Sequence, residues 1–314
     1  MLKYLVILLD DSSVSYCHYD YSNEPNLIPL DILQKGILFA MKNDLRIQYV
    51  LPQRELHQSY REAINSMFHD SIGSIGQEEM VGVIVVNGME ELAQNENKLD
   101  ADKRYVIRTT INEFFDRFEL LKSVFGRNIS VNILFKDVES FTDEKSEQYQ
   151  TVLNELGICL KDIILNGGNV NTNVLTDRIA LDEMNNCGAG DTSITLAPNG
   201  KFYPCPAFYY DKDPYCECGS IETGLTIRNK KLFTLEGSPL CKRCDAFHCK
   251  RCVWLNKKLT YEVNTPSRQQ CVMAHVERNS SKELLNLFHQ SNLLKEKKIA
   301  TIDYIDPFDV YKDL

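Results

Sequence analysis

No stretch of this chain is apolar for long enough to cross a bilayer. A spanning helix needs about 20 apolar residues, and the opening LKYLVILLDD runs into acid well short of that. The opening is therefore expected to be neither a membrane span nor a signal peptide. A surplus of positive charge is also missing: 35 Lys and Arg stand against 44 Asp and Glu, a net charge of −9. Nonspecific attraction to nucleic acid or to an anionic membrane is not expected of such a chain. No glycine loop is built to grip phosphate. Asn166-Gly167-Gly168-Asn169 lacks both the lysine of a P-loop and the spacing of a dinucleotide fingerprint. No nucleophile–histidine–acid signature stands out either. Without an export signal the expected compartment is the reducing cytoplasm, where a disulfide framework is not expected. The odd count of eleven cysteines fits that expectation.

What is present begins with a core. Of 314 residues, 43% are apolar and 25% charged, ordinary for a globular chain with room for one large domain or two smaller ones. Short apolar, β-branched runs recur at 4–9, 45–51, 81–86, 104–108, 129–135 and 160–165. Each reads as a strand covered on both faces, as parallel strands are. Helical patterns fill the gaps at 30–42, 53–68, 89–94, 111–125 and 143–155. In the fourth of these, Phe114, Phe115, Phe118, Leu121 and Phe125 make one apolar face, read as packing against a sheet. Six strands alternating with helices make a βα array, either an open doubly wound sheet or a partial barrel. Segments 71–79 and 166–176 read as irregular connections.

From Cys187 the pattern changes. Alternating runs flank Pro198-Asn199-Gly200, a hairpin signal. Thr265-Pro266 is expected to open a helix running to Arg278, and Ser280-x-x-Glu283 to cap a second one. The tail from Ile299 is acidic and aromatic and is expected to pack loosely or fray. The main boundary is placed near 180–186.

Eight of the eleven cysteines lie between Cys205 and Cys271, four of them as Cys241-x2-Cys244-x4-Cys249-x2-Cys252. Thiolates at such spacing read as ligands for zinc or iron–sulfur clusters. For one zinc, the four-residue gap between the pairs is tight, since a dozen or more residues usually separate two such knuckles. In the ferredoxin solution, three close cysteines hold one cluster and the fourth serves another. Each cluster then needs distant ligands, and Cys187, Cys205 and Cys271 stand ready.

The order Cys187-x12-Gly200-x4-Cys205, the central block, then Cys271 resembles the seven-cysteine pattern of the SPASM domain, the auxiliary-cluster module of radical SAM peptide maturases. Gly219-Ser220-Ile221 also falls where that family places similar residues, although its central block usually has longer gaps. The resemblance implies two 4Fe–4S clusters. One would use Cys187, Cys205 and Cys252, with Cys216 or Cys218 as candidate fourth ligand. The other would use Cys241, Cys244, Cys249 and Cys271.

A SPASM-like tail implies a radical SAM head, whose C-x3-C-x2-C motif should follow the first strand. Ser15-Tyr16-Cys17-His18-Tyr19 resembles the end of that motif, but its first two cysteines fall on Asp10 and Val14. A lone Cys17 cannot hold the three-legged cluster that cleaves SAM. Nor does a Gly-Gly-Glu-Pro segment follow the second strand; the chain reads Leu51-Pro52-Gln53-Arg54-Glu55. The resemblance therefore implies an α/β chain with a degenerate (β/α)6 partial TIM barrel over 1–183. A small SPASM-like domain with a β-hairpin and C-terminal helices follows over 184–314. The reading is of a pseudo-radical SAM protein, with no SAM-cleaving activity and no SAM as cofactor. Cys252-Val253-Trp254 and Asn264-Thr265-Pro266 through Arg278 further resemble the CXXX repeat peptide maturase family of bacteria. That likeness implies a small cysteine-rich precursor peptide as partner, with a separate maturase or electron donor. The alternative is a zinc-stabilised, non-catalytic scaffold that recruits another maturase.

Among other polar residues, His248 reads as solvated or as a neighbour of the ligands rather than a ligand itself. His275, one helical turn past Cys271, reads equally as facing the cluster or as a surface residue. Asp10-Asp11 end the first strand, where βα folds place their chemistry; a solvated strand end is the favoured reading over a cation site or acid–base pair. Lys242, Arg243, Lys250 and Arg251 make the cysteine block basic, which would offset clusters of negative charge or hold an acidic leader peptide.

Overall fold

The computed structural model describes residues 1–299 of the chain. The tail from residue 300 on, expected to pack loosely, lies outside them.

Six parallel strands occur in chain order across one sheet: β1 (Tyr4–Leu8), β2 (Arg46–Val50), β3 (His69–Ser74), β4 (Val83–Asn87), β5 (Arg104–Thr109) and β6 (Val131–Phe135). A doubly wound sheet reverses its order at a switch point. This sheet does not, so the winding is that of a barrel. On the free side of β1, β7 (Ser193–Leu196) adds in parallel, and β8 (Phe202–Tyr203) closes an antiparallel hairpin with it. Gly200, at φ +75°, makes the hairpin turn, and its N–H bonds Ala197 O at 2.9 Å.

The helices are α1 (Leu30–Lys42), α2 (Gln58–Ile64), α3 (Met89–Asn95), α4 (Ile111–Arg117), α5 (Glu119–Gly126), α6 (Asp143–Leu165), α7 (Thr176–Ala180), α8 (Pro206–Tyr210), α9 (Val253–Thr260) and α10 (Arg268–Gln290). Alternation in the strands gives the sheet two apolar faces. Leu5, Ile7 and Leu9 join the main core with α1 residues Leu33, Ile37 and Ala40. Val6, Leu8, Val50, Ile72 and Val85 form a separate cluster on the other face, joined there by Val14.

Three expectations are corrected. Residues 160–165 are the last turns of α6 rather than a strand, because Leu160, Ile163 and Ile164 continue the apolar face of that helix. The sixth strand is instead β3, inside a stretch read as partly irregular. Its sequence HDSIGS is polar, yet Ser71, Ile72 and Gly73 are buried between β2 and β4. The late helices are one. Ser267, not Thr265, caps α10 reciprocally with Gln270, and Ser280 and Ser281 are buried in mid-helix. Ser281 donates to Leu175 O, 2.7 Å away.

The connection from β1 to α1, residues 9–29, turns back over the sheet face instead of leaving it. Ser13 Oγ donates to Val50 O at the end of β2 (3.1 Å), and His18 Nδ1 donates to Phe135 O at the end of β6 (2.9 Å). From β5, Arg108 donates to Cys17 O (2.9 Å), Tyr19 O (2.6 Å), Asn87 Oδ1 (3.1 Å) and Asp20 Oδ1 (3.2 Å). Tyr19 stacks on Tyr210 of α8, with ring centroids 5.5 Å apart. Val14 is fully buried on this face, worth about 1.5 kcal/mol or more of transfer free energy. The segment is a plug seated in the half-barrel.

Candidate metal centre

The plug carries Cys17 to the start of α9, where Cys252 is the residue before the first helical turn. Sγ of Cys17, a ring nitrogen of His18 and Sγ of Cys252 lie within 4.8 Å of one another. Cys17, Cys252, Cys187 and Cys205 all line one cavity of about 360 Å³, together with Tyr16, Tyr19, Gln48 and Asp70. The hairpin explains how the last two arrive: Cys187 precedes β7 and Cys205 follows β8, so closing the hairpin returns both to one end of it. Cys187 is exposed as a residue, although its sulfur lies among protein atoms, and the other three are partly buried.

Each of these sulfurs meets a backbone N–H. Cys17 accepts from His18, Cys187 from Ala189, and Cys205 from Ala207 and Phe208 at the start of α8. Cys252 accepts from Leu255 N at 3.4 Å. Such donors stabilise sulfur carrying negative charge. Without metal, burial pushes the Cys187 and Cys205 thiols up. The hydrogen bond from Cys252 holds the Cys17 thiol down, and the same bond together with burial pushes Cys252 up. This donor set fits a soft metal or an iron–sulfur cluster, whose loading would displace the thiol protons.

A second group forms around the central block. The charge of Cys244 acts on Cys241 and that of Cys241 on Cys249, and burial pushes Cys241 up to about 11 and Cys249 up to about 12. Cys244 Sγ lies 3.5 Å from His275 Nε2. Cys271 sits one turn before His275 on the same helix. His275 is buried, so of its two sequence readings the inward one holds. His248 is buried as well, not solvated. Its Nε2 lies 3.0 Å from Glu277 Oε2, and Glu277 Oε1 accepts from Tyr149 OH at 2.8 Å.

Between the two thiol groups lies Arg251, which sequence reasoning counted only as part of a basic patch. It is buried, and donates to Ser238 Oγ (2.7 Å) and to Phe233 O (2.5 Å). Its charge draws the thiols of Cys187, Cys241 and Cys249 downward. Of the other basic residues, Lys242 is paired with Glu236. Offsetting thiolate charge is therefore work this arginine is placed to do.

Other candidates stand elsewhere. Cys216 and Cys218 do not line the cavity. Cys216 Sγ lies 2.9 Å from Lys257 Nζ and 3.6 Å from Asp213 Oδ2, and Cys218 Sγ faces Cys216 O at 3.8 Å. Asp10 is fully buried, not solvated: it accepts from Ser12 N and Oγ (2.8 and 2.6 Å) and pairs with Arg54. The turning-back of the plug buries it. Asp11 accepts from Tyr209 OH at 2.6 Å. Arg108, too, escaped sequence reasoning. Its signal was a second arginine, after Arg104, near the end of the strand.

No family model and no curated protein matches the chain. Solved structures do. His-tagged anSMEcpe with bound AdoMet is 14% identical, with a TM-score of 0.64, covering 92% of this chain and 100% of its own. Native anSMEcpe with bound AdoMet and Kp18Cys peptide, and the same protein with AdoMet and Cp18Cys peptide, are each 12% identical, with a TM-score of 0.62 and the same coverage. At that identity the likeness carries the fold. That fold is an α/β arrangement of a mostly parallel sheet with helices, consistent with a partial barrel.

Proposed function

We propose that this chain is a pseudo-radical SAM protein of the cytoplasm. It holds two iron–sulfur clusters in a SPASM-like C-terminal domain and binds a small cysteine-repeat precursor peptide for maturation, without cleaving SAM. The observation that carries the reading is the plug. The two positions where the motif's first cysteines would fall are Asp10, buried and paired with Arg54, and Val14, packed among Val6, Leu8, Val50, Ile72 and Val85. Both are committed to the fold interior. The remaining thiol, Cys17, faces Cys252 instead.

The peptide part rests on two supports. Two of the similar structures hold AdoMet together with peptides named Kp18Cys and Cp18Cys. The thiol-lined cavity of this chain is bordered by tyrosines and includes the exposed Cys187. When bound, such clusters would supply one-electron transfer. The chain's own residues would fix the thiolates through backbone N–H groups, hold compensating charge at Arg251 and keep the barrel face closed.

The test is metal analysis of protein purified without oxygen, followed by incubation with SAM and a strong reductant. About eight irons with matching sulfide and no 5′-deoxyadenosine are expected. Stoichiometric 5′-deoxyadenosine would overturn the reading. Zinc without sulfide would replace the clusters with a structural scaffold recruiting a separate maturase.

A further inference from the structure

We infer that Cys17 is the fourth thiolate of the first metal site, completing a set with Cys187, Cys205 and Cys252. The inference deepens the reading above and rests on its placing a cluster at the latter three. The candidates from sequence, Cys216 and Cys218, are held elsewhere, the first by Lys257 and Asp213 and the second against the backbone of the first. Cys17 alone among the remaining cysteines lines the same cavity as the three.

Geometry favours Cys17 over its neighbour His18. His18 belongs to an adjoining cavity of about 120 Å³ with Cys249 and Cys252, while the four cysteines share the larger one without it. Its Nδ1–H is given to Phe135 O, so only Nε2 could reach a metal. The Cys17 backbone is also anchored, since Arg108 Nε donates to its carbonyl at 2.9 Å. A ligand held in place by its main chain loses little further freedom on binding metal. With four protein thiolates, a cubane here has no open iron, and its chemistry is electron transfer or structural support rather than direct capture of a substrate thiol.

The experiment compares Cys17→Ala, Cys187→Ala and Cys216→Ala, each purified without oxygen and assayed for iron, sulfide and the electron paramagnetic resonance of oxidised and reduced samples. Cys17→Ala and Cys187→Ala are expected to change alike, losing up to about half the iron or converting the first cluster to a three-iron form on oxidation. Cys216→Ala should match the parent chain. A Cys17→Ala protein with parental iron and spectra, beside a depleted Cys187→Ala protein, overturns the inference and leaves the cluster reading standing. Parental iron and spectra in both overturn the cluster reading itself. The unaltered chain gives a check that does not depend on a variant's folding: iodoacetamide labelling of the iron-loaded protein, read by mass spectrometry. Protection of Cys17 together with Cys187 is expected, and labelling of Cys17 while Cys187 stays protected overturns the inference.

Discussion

Replacing Arg108 with methionine keeps much of the side chain's bulk but removes every hydrogen bond it gives to the plug. Two of those bonds reach the main-chain carbonyls of Cys17 and Tyr19, at 2.9 and 2.6 Å. Hydrogen bonds from a charged donor are worth about 1.5–3 kcal/mol each, so the two together contribute about 3–6 kcal/mol. The Asp20 contact adds little, because that carboxylate is 90% exposed and exposed pairs are worth about 0.2–1 kcal/mol. The cheapest response to the loss is local, since lifting residues 9–29 off the sheet face lets water satisfy both carbonyls. The open fraction should then rise about a hundredfold or more, at one decade per 1.4 kcal/mol. Chymotrypsin reads this directly at Tyr16 and Tyr19, since cleavage tracks the open population when reclosing is fast. Arg108→Met should therefore be cut at these tyrosines at least about a hundred times faster than the parent, and Asp20→Ala within a few-fold of it. Equal rates for the parent and Arg108→Met, or an Asp20→Ala effect as large, would show that this arginine does not hold the plug.

Three further outcomes are expected. Burial pushes the Glu113 carboxyl up, but bonds from Thr109 Oγ1 and from the N–H groups of Glu90, Met89 and Thr110 outweigh it and hold the carboxyl below its ordinary range. Its folded-state contribution is thus complete above the unfolded pKa of about 4.3 and is lost as pH falls through the lower folded value. Glu113→Gln should cost about 1 kcal/mol of unfolding free energy at pH 7 and progressively less in acid, as denaturant titrations at several pH values will show. Gly219 has a φ of +90°, and a Cβ there would lie 2.1 Å from Gly224 O. Gly219→Ala should therefore lower the melting temperature through a loss of about 1–3 kcal/mol, whereas Gly76→Ala, with open space around it, should lose less. Finally, His275→Leu removes the contact with Cys244 Sγ. If that sulfur ligates a cluster, protein-film voltammetry should show its potential shifted negative, because hydrogen bonds to ligating sulfur favour the more electron-rich state.

Where a segment's own chemistry decided its conformation, the sequence could be read closely. The first helix was placed at its observed bounds because its apolar face and the preceding proline leave no alternative start. The Pro198-Asn199-Gly200 turn declared itself because Gly200 must adopt positive φ. Failures came where tertiary surroundings outvoted composition. β3 is polar yet central, and residues 160–165 are strand-like in composition yet continue a helix. The expected count of six strands in the first half of the chain thus survived only because one missed strand offset one invented one. At the site, spacing pointed to thiols gathered for metal, but could not show that residue 17 meets residue 252. That pairing depends on the course of residues 9–29, set by bonds to three different strands. The same course reversed the reading of Asp10, whose burial no local pattern announces.

The parallel pairing of β1 with β7 has a consequence for the order in which the chain can assemble during translation. When β1 to β6 have left the ribosome, one side of β1 still presents unpaired amide and carbonyl groups, because the strand that covers it begins at Ser193. At about 5–20 residues per second, covering it takes on the order of ten to forty seconds after the first strand is made. Over that interval the nascent chain carries an open strand edge, the kind of surface that recruits another chain. Of the cysteines that share the cavity of Cys17, Cys187 is made just before that covering strand, and Cys205 and Cys252 after it. Any delivery of metal to the full set would therefore wait until Cys252 has been made. A ribosome pausing before residue 193 should leave a product that aggregates, whereas one pausing after residue 260 should not.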